Sequence, residues 1–392
     1  MSPRLHMQPY DAAIAGVAES DQIGRVPGKS NMQLGAEAAR NALADAGIDR
    51  SEVDAVFTCG IGNGLQMQEF LRIHPRYMDN TNVGGSSWVI DIEHAMAAIH
   101  AGLIDVALIV HGEHGYSARF LPDAGFEFGE RSFYPGGQFE MPFGVGAAPG
   151  CYAMACSTHM AKYGTTSEQL AEVAVATRKW AQMNPKAMMR EPLTIDDVLS
   201  SRWIAYPLHL LDCCLVTDAA GAVVVVSPEK AKTLAKKPAW ILGTGEWSTH
   251  AGIGNMPDYT VTPAKFSGAQ AFAMAGVKHS DIDLAMIYDS FTYTVIVTLE
   301  SLGFCKPGEG GDFVSGQRTA PGGDFPLNTN GGGLSYTHPG MYGIFTMIEA
   351  VRQLRGETGE RQLKKCDIAL CNGTGGELSS TGTIILTTNG RG

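Results

Sequence analysis

The sequence predicts an α/β protein built from two copies of one helix–strand motif, with a loop domain inserted between them. Three observations predict it. Helix-patterned segments closed by glycine alternate with short apolar runs of strand character. The alternation occurs twice in one register, Ala46-Gly47-Ile48 leading to Asp54 as Ala275-Gly276-Val277 leads to Asp283. Between the copies, from about Glu113 to Leu211, Gly, Pro, Phe, Tyr and Met break the pattern.

In chain order, apolar and small residues recur at helical spacing from Gln33 to Ala46, and Val53 to Cys59 then reads as a buried strand. Gly84-Gly85-Ser86-Ser87 precedes a helix from about Val89 to His100 and a strand from Asp105 to Val110. Asp218 to Val226 is a further strand, closing the first half before Pro228, and Trp240 starts the second half. There, a helix from Gly268 to Ala275 is followed by a strand from Ile282 to Tyr288, and a helix from about Met341 to Leu354 by a strand from Asp367 to Leu370. The predicted organisation is residues 1–112 with 212–237 as the first half, 113–211 as the loop domain and 238–392 as the second half. Uninterrupted apolar strands between helices imply largely parallel sheets covered on both faces, and a duplicated unit implies a pseudo-twofold pair.

At 392 residues and 44% hydrophobic content, the chain can bury more than one core. A formal net charge of -11 without a basic stripe argues against nucleic-acid binding. The eight cysteines lack paired zinc-site spacing and read as reduced cytosolic thiols, with no metal expected. Neither a signal peptide nor a membrane-length apolar run is visible, so a soluble cytoplasmic protein without membrane insertion is expected. Gly60-Ile61-Gly62-Asn63-Gly64 and Gly243-Thr244-Gly245 lack the strand-glycine-helix order and distal acid of a dinucleotide site.

The loop Asn328-Thr329-Asn330-Gly331-Gly332-Gly333-Leu334-Ser335-Tyr336-Thr337-His338-Pro339-Gly340 sets a histidine at a helix start, among residues that let a ligand approach the backbone. It resembles the Asn-x-x-Gly-Gly…Gly-His-Pro loop of the thiolase superfamily. Tyr288-Asp289-Ser290-Phe291 is similar to that family's His-Asp-x-Phe or Asn-Glu-x-Phe motif, and Glu300-Ser301-Leu302-Gly303-Phe304-Cys305 to its Glu-x-Leu-Gly-x-Cys continuation. The resemblance runs nearly the full length and is nearest to the sterol-carrier-protein type and the thiolase-like "lipid-transfer" proteins. It implies a layered αβαβα fold, an acyl-CoA substrate with coenzyme A as part of it, and no covalently bound cofactor.

The departure lies at Asn82-Val83-Gly84-Gly85-Ser86-Ser87. Thiolases carry their nucleophilic cysteine here, at a helix N-terminus that lowers its pKa. Gly85 stands at that position, with Ser86 beside it, and glycine cannot be acylated. Cys371, in Cys371-Asn372-Gly373-Thr374-Gly375-Gly376, corresponds to the family's second cysteine, whose neighbouring glycine amides, here at Gly373 and Gly375, help bind an oxyanion. The thiolase-like aldolases of steroid side-chain breakdown also lack the nucleophile and are thought to use two tyrosines; Tyr288 corresponds to the first and Tyr336 is a candidate for the second.

A retro-aldol reaction requires a base for the β-hydroxyl proton and donors for the enolate oxygen, but no covalent nucleophile. The sequence therefore implies cleavage, or the reverse condensation, of a β-hydroxyacyl-CoA. Tyr288 or Tyr336 would handle the hydroxyl proton and His338 with Cys371 the enolate, while Asp289 anchors the loop. Arg178, Lys179 and Arg202 are candidates to meet the CoA phosphates, although solvated surface is the commoner fate of such residues. Phe126, Phe128, Phe133, Tyr134, Phe139 and Phe143 either line the substrate pocket or form the loop domain's own core. Thiolysis or acyl transfer of a β-ketoacyl-CoA, and a non-catalytic acyl-CoA or lipid-binding subunit, are the alternatives. The resemblance further implies a homodimer paired through the strand from Arg76 to Val83, and a small OB-fold zinc-ribbon subunit completing a heterotetramer.

Overall fold

A computed structural model describes residues 6–59, 64–120, 138–145 and 147–390. The first half contains β1 (Ala13–Glu19), α1 (Asn31–Ala46), β2 (Ala55–Thr58), α2 (Gly64–Leu71), β3 (Tyr77–Asp79), α3 (Ser87–His100) and β4 (Val106–His114). Then come α4 (Ala148–Tyr163), α5 (Ser167–Gln182), α6 (Ile195–Ser200) and the hairpin of β5 (Trp203–Ala205) and β6 (Leu208–His209), before β7 (Asp218–Val226) and α7 (Pro228–Ala231). The second half contains β8 (Ala239–Ser248), α8 (Ala264–Ala275), β9 (Leu284–Ile287), α9 (Thr292–Leu302), α10 (Gly310–Val314), α11 (Gly343–Arg355), β10 (Ile368–Gly375) and β11 (Ser380–Thr387). Gly60 to Asn63, Phe126, Phe128, Phe133 and Tyr134 lie outside the described residues. Among the described residues, no helix is long and apolar enough to cross a membrane.

The duplication is visible in the strand order, β3-β2-β4-β7-β1-β8-β11-β10-β9. Outward from the centre, β1-β7-β4-β2 on one side is matched by β8-β11-β10-β9 on the other. The halves join where Ala13 and Ile14 pair with Trp240 and Ala239. Local chemistry repeats as well. Asp54 Oδ2 accepts from the Asp105 and Val106 amides at 2.8 and 3.2 Å, and Asp283 Oδ2 from those of Asp367 and Ile368 at 2.8 and 3.1 Å. The helix expected from Gln33 begins earlier because Ser30 caps it, accepting from the Gln33 amide while the Gln33 side chain accepts from Ser30.

The expectation of largely parallel sheets is corrected: the sheet is mixed. β2 runs parallel to β3 and β4, and β9 to β10, but the β1/β7, β4/β7, β1/β8, β8/β11 and β10/β11 pairs are antiparallel. Apolar runs report burial of both faces, not direction; direction follows from the connections, such as the tight turn from β10 into β11. Both faces are indeed covered. On one side α1 packs Leu34 and Ala38 with Leu108 and Val224. In the middle α3 and α11 pack Ile92, Met96 and Ile348 with Phe57, Ile109, Met286 and Ile384. Beyond, α8 and α9 pack Ala271 and Leu299 with Leu242, Ala285 and Ile385. The layers are therefore αβαβα, and the starts of α3 and α11 meet where Gly343 abuts the Gly85 carbonyl.

Candidate active site

Three polar clamps set the second-half loop beside the end of β9. Asn328, at φ 52°, grips Ile287 like a strand neighbour, its Oδ1 accepting from the Ile287 amide and its Nδ2 donating to the Ile287 carbonyl, both at 2.8 Å. The Asp289 carboxylate accepts from the Gly333 amide at 2.6 Å and the Leu334 amide at 3.3 Å. Burial raises its pKa to about 7 against these bonds. His338 is pinned through its backbone, its amide donating to Thr217 Oγ1 at 2.9 Å and its carbonyl accepting from the Thr217 amide at 3.1 Å.

These clamps bring together two of the residues singled out from the sequence. The Tyr288 hydroxyl and His338 Nε2 lie 2.7 Å apart, and both residues are buried. Gly85 completes the arrangement, because a Cβ there would lie 2.0 Å from Tyr288 Cε1 and 2.8 Å from the Thr374 carbonyl oxygen. The tyrosine ring thus occupies the space a side chain at position 85 would need. Tyr288, His338, Gly84 and Gly85 face a cavity of about 790 Å³, whose rim includes Thr374, Gly375 and Gly376.

Burial decides the protonation states. It lowers the His338 pKa to about 4, so the imidazole is neutral near pH 7, and it lifts the Tyr288 phenol well above its usual value. The resting pair is therefore neutral tyrosine beside neutral histidine, with no standing charge in an apolar cavity. Such a pair passes a proton along its short hydrogen bond only as charge develops in a bound reactant.

Several other sequence candidates lie elsewhere. Gly332–Tyr336 forms a π-helical turn, and the Tyr336 hydroxyl donates to Glu19 Oε1 at 2.7 Å rather than lining the cavity. Cys371 points between α11 and the sheet, its thiol 3.6 Å from the Thr346 carbonyl, with burial pushing its pKa up; it does not reach the cavity. Ser86 Oγ pairs with Ser380 Oγ at 2.7 Å, and Gly373 packs against Ser86 and Val89. Arg178 and Arg202 line the cavity but Lys179 does not. Arg178 is buried, donating from Nε to Ser335 Oγ at 2.8 Å and from Nη1 to the Glu191 carbonyl at 3.0 Å. Phe139 and Phe143 are exposed.

The structure adds lining residues that the sequence did not single out for the site. Tyr152 on α4 packs its ring at a tilt against Phe291 with centroids 4.6 Å apart, and its hydroxyl donates to the Gly376 carbonyl at 3.3 Å. Arg119 adds a third guanidinium. Cys213 and Cys214 both border the cavity, in the irregular connection between β6 and β7. No local sequence signal marks Tyr152, which reaches the site by tertiary packing.

Residues 245–388 match the family described as Thiolase C-terminal domain-like. The chain is similar to the steroid side-chain-cleaving aldolase of Thermomonospora curvata, 34% identical over 95% of this chain and 97% of that one. It is similar to the 17-hydroxy-3-oxo-4-pregnene-20-carboxyl-CoA lyase of Mycobacterium tuberculosis, 34% identical over 88% of this chain and 92% of the other. Among solved structures it resembles the Ltp2-ChsH2(DUF35) aldolase with a TM-score of 0.86, at 32% identity, covering 97% of this chain and 98% of that one.

Proposed function

The chain belongs to the thiolase superfamily, with its sterol-carrier-protein-type aldolases, and on that premise we propose that it cleaves a β-hydroxyacyl-CoA by retro-aldol chemistry, or makes one in reverse, without an acyl-cysteine intermediate. One observation carries the reading: where a nucleophile would project from Gly85, the Tyr288 ring fills the space and holds its hydroxyl 2.7 Å from His338 Nε2. The β-hydroxyl proton passes to Tyr288 Oη as the tyrosine proton moves to His338 Nε2. The C–O bond becomes a carbonyl while the Cα–Cβ bond breaks, and its electron pair enters the thioester as an enolate. The proton left on His338 then returns through Tyr288 Oη to Cα, which releases the shortened acyl-CoA and restores the neutral pair. Binding at the start of α3 favours the negative oxygen, because helix N-terminal amides and the macrodipole oppose its charge.

Arg119, Arg178 and Arg202 are suited to the phosphates of the CoA moiety. The similarity to the Ltp2-ChsH2(DUF35) aldolase supports a partner subunit, for which a small OB-fold zinc ribbon is the expected form, and the edge position of β3 supports pairing of two copies there. Incubation with a β-hydroxyacyl-CoA, with and without added CoA, tests the chemistry. A ketone or aldehyde plus shortened acyl-CoA is expected in both, whereas strict dependence on free CoA would establish thiolysis instead.

A further inference from the structure

Away from the cavity, Asp91 on α3 is completely buried, yet neither carboxylate oxygen has a hydrogen-bond partner. Two bare carboxylate oxygens inside a protein are strongly disfavoured unless a proton or a cation meets them. Their surroundings are acidic. Asp79 at the end of β3, Glu93 on α3 and Glu246 on β8 stand around the same position, and a further buried oxygen, Glu93 Oε2, also lacks a partner. Among the described residues, no lysine or arginine forms an ion pair with these four carboxylates, and His94 is the one basic side chain that does.

We propose that Asp79, Asp91 and His94 bind one divalent transition-metal cation. Asp91 and His94 are three residues apart on α3 and so share a face. One ligand atom from each of the three residues lies within 4.8 Å of the others, the spread of donors around a single ion. Two carboxylates fix the histidine ring. Its Nδ1 faces Asp79 Oδ2 at 2.9 Å, while Nε2 lies 3.3 Å from Glu246 Oε2. A carboxylate on the second ring nitrogen is what fixes the tautomer of a metal-bound imidazole, and it leaves Nδ1 to the ion. Two carboxylates and one imidazole suit Zn²⁺ or Mn²⁺ better than Ca²⁺ or a thiolate-seeking ion. In the single chain a cavity of about 570 Å³ lined by Thr81, Glu93, His94 and Glu246 reaches the histidine. Because one chain alone buries Asp91 completely, a second copy docking at β3 would add no atom to it.

The ion would tie the middle of α3 to the end of β3, and would act on stability rather than chemistry. Titration calorimetry of the EDTA-treated full chain with Zn²⁺ and with Mn²⁺ tests this, alongside thermal unfolding. One ion per chain is expected for at least one metal, with a rise in Tm of roughly 3–8 °C at saturating concentration. Asp91→Asn leaves the shape unchanged and removes a bare charge, so it should fold at least as stably without metal and lose both the binding heat and the Tm rise. His94→Ala should lose the binding as well. Absence of binding by both ions in the wild type, or unchanged binding in both variants, overturns the proposal.

Discussion

Gly85 and Tyr288 are mutually dependent at the level of single atoms. Gly85→Ala would drive a methyl group into the tyrosine ring, so the variant should lose ~1–3 kcal/mol of stability and most of its turnover; urea unfolding and a product assay read the two. His338 makes a separate prediction. Its folded pKa of about 4 lies below the usual 6.5, so as pH falls through that window the unfolded chain takes up a proton that the folded chain refuses. Its contribution is full above 6.5 and declines by about 1.4 kcal/mol per pH unit toward 4. His338→Gln abolishes this term, so the stability gap between wild type and variant should narrow on acidification, as unfolding curves between about pH 7 and pH 5 would show. The glycine replacing the nucleophile was legible in the sequence. What replaced it in space was not, because Tyr288 and His338 are 50 residues apart and meet only in the fold.

At the scale of elements, errors of position trace to backbone geometry. Tyr336 is two residues from His338, but the π-helical turn before it, with the Tyr336 amide bonded to the Gly331 carbonyl, directs its ring to Glu19. Cys371 is placed near the reacting atoms by its correspondence to the family's second cysteine, at the end of a strand read as stopping at Leu370. β10 continues to Gly375, carrying the rim to Thr374–Gly376 and leaving the thiol in the core. The repeated motif, by contrast, was plain, since periodicity and glycine stops recur in register. Asp54→Ala and Asp283→Ala each strip a part-buried charged acceptor from two amides at the start of a strand. Each should therefore cost ~1–3 kcal/mol, and similar losses of denaturation midpoint in the two variants would show that the copies rely on the same device.

For the whole molecule, cohesion concentrates at Glu19. Its carboxylate receives Arg352 Nη1 and Nη2 at 2.6 and 2.7 Å, Lys186 Nζ at 3.1 Å and the Tyr336 hydroxyl at 2.7 Å. These groups come from α11, the segment after α5 and the second-half loop, so one anion on β1 ties all three to the first half. Burial pushes the Glu19 pKa up, but Arg352 and Lys186 hold it well below the usual carboxylate range. Its contribution is therefore full at neutral pH and lost in acid. Glu19→Ala leaves the Arg352 guanidinium largely buried without its counter-ion and should cost ~3 kcal/mol, visible as a lower Tm in calorimetry. Sequence reading could not supply this junction, whose members are up to 333 residues apart. Strand direction was equally hidden, being fixed by connections rather than composition.

The meeting of α3 and α11 at Gly85 and Gly343 has a consequence for enclosure. One wall of the reaction chamber is the first copy's helix entrance and the facing wall is the second copy's. Neither copy alone therefore encloses a substrate. One entrance carries the histidine, and the other a bare glycine that leaves room for the tyrosine.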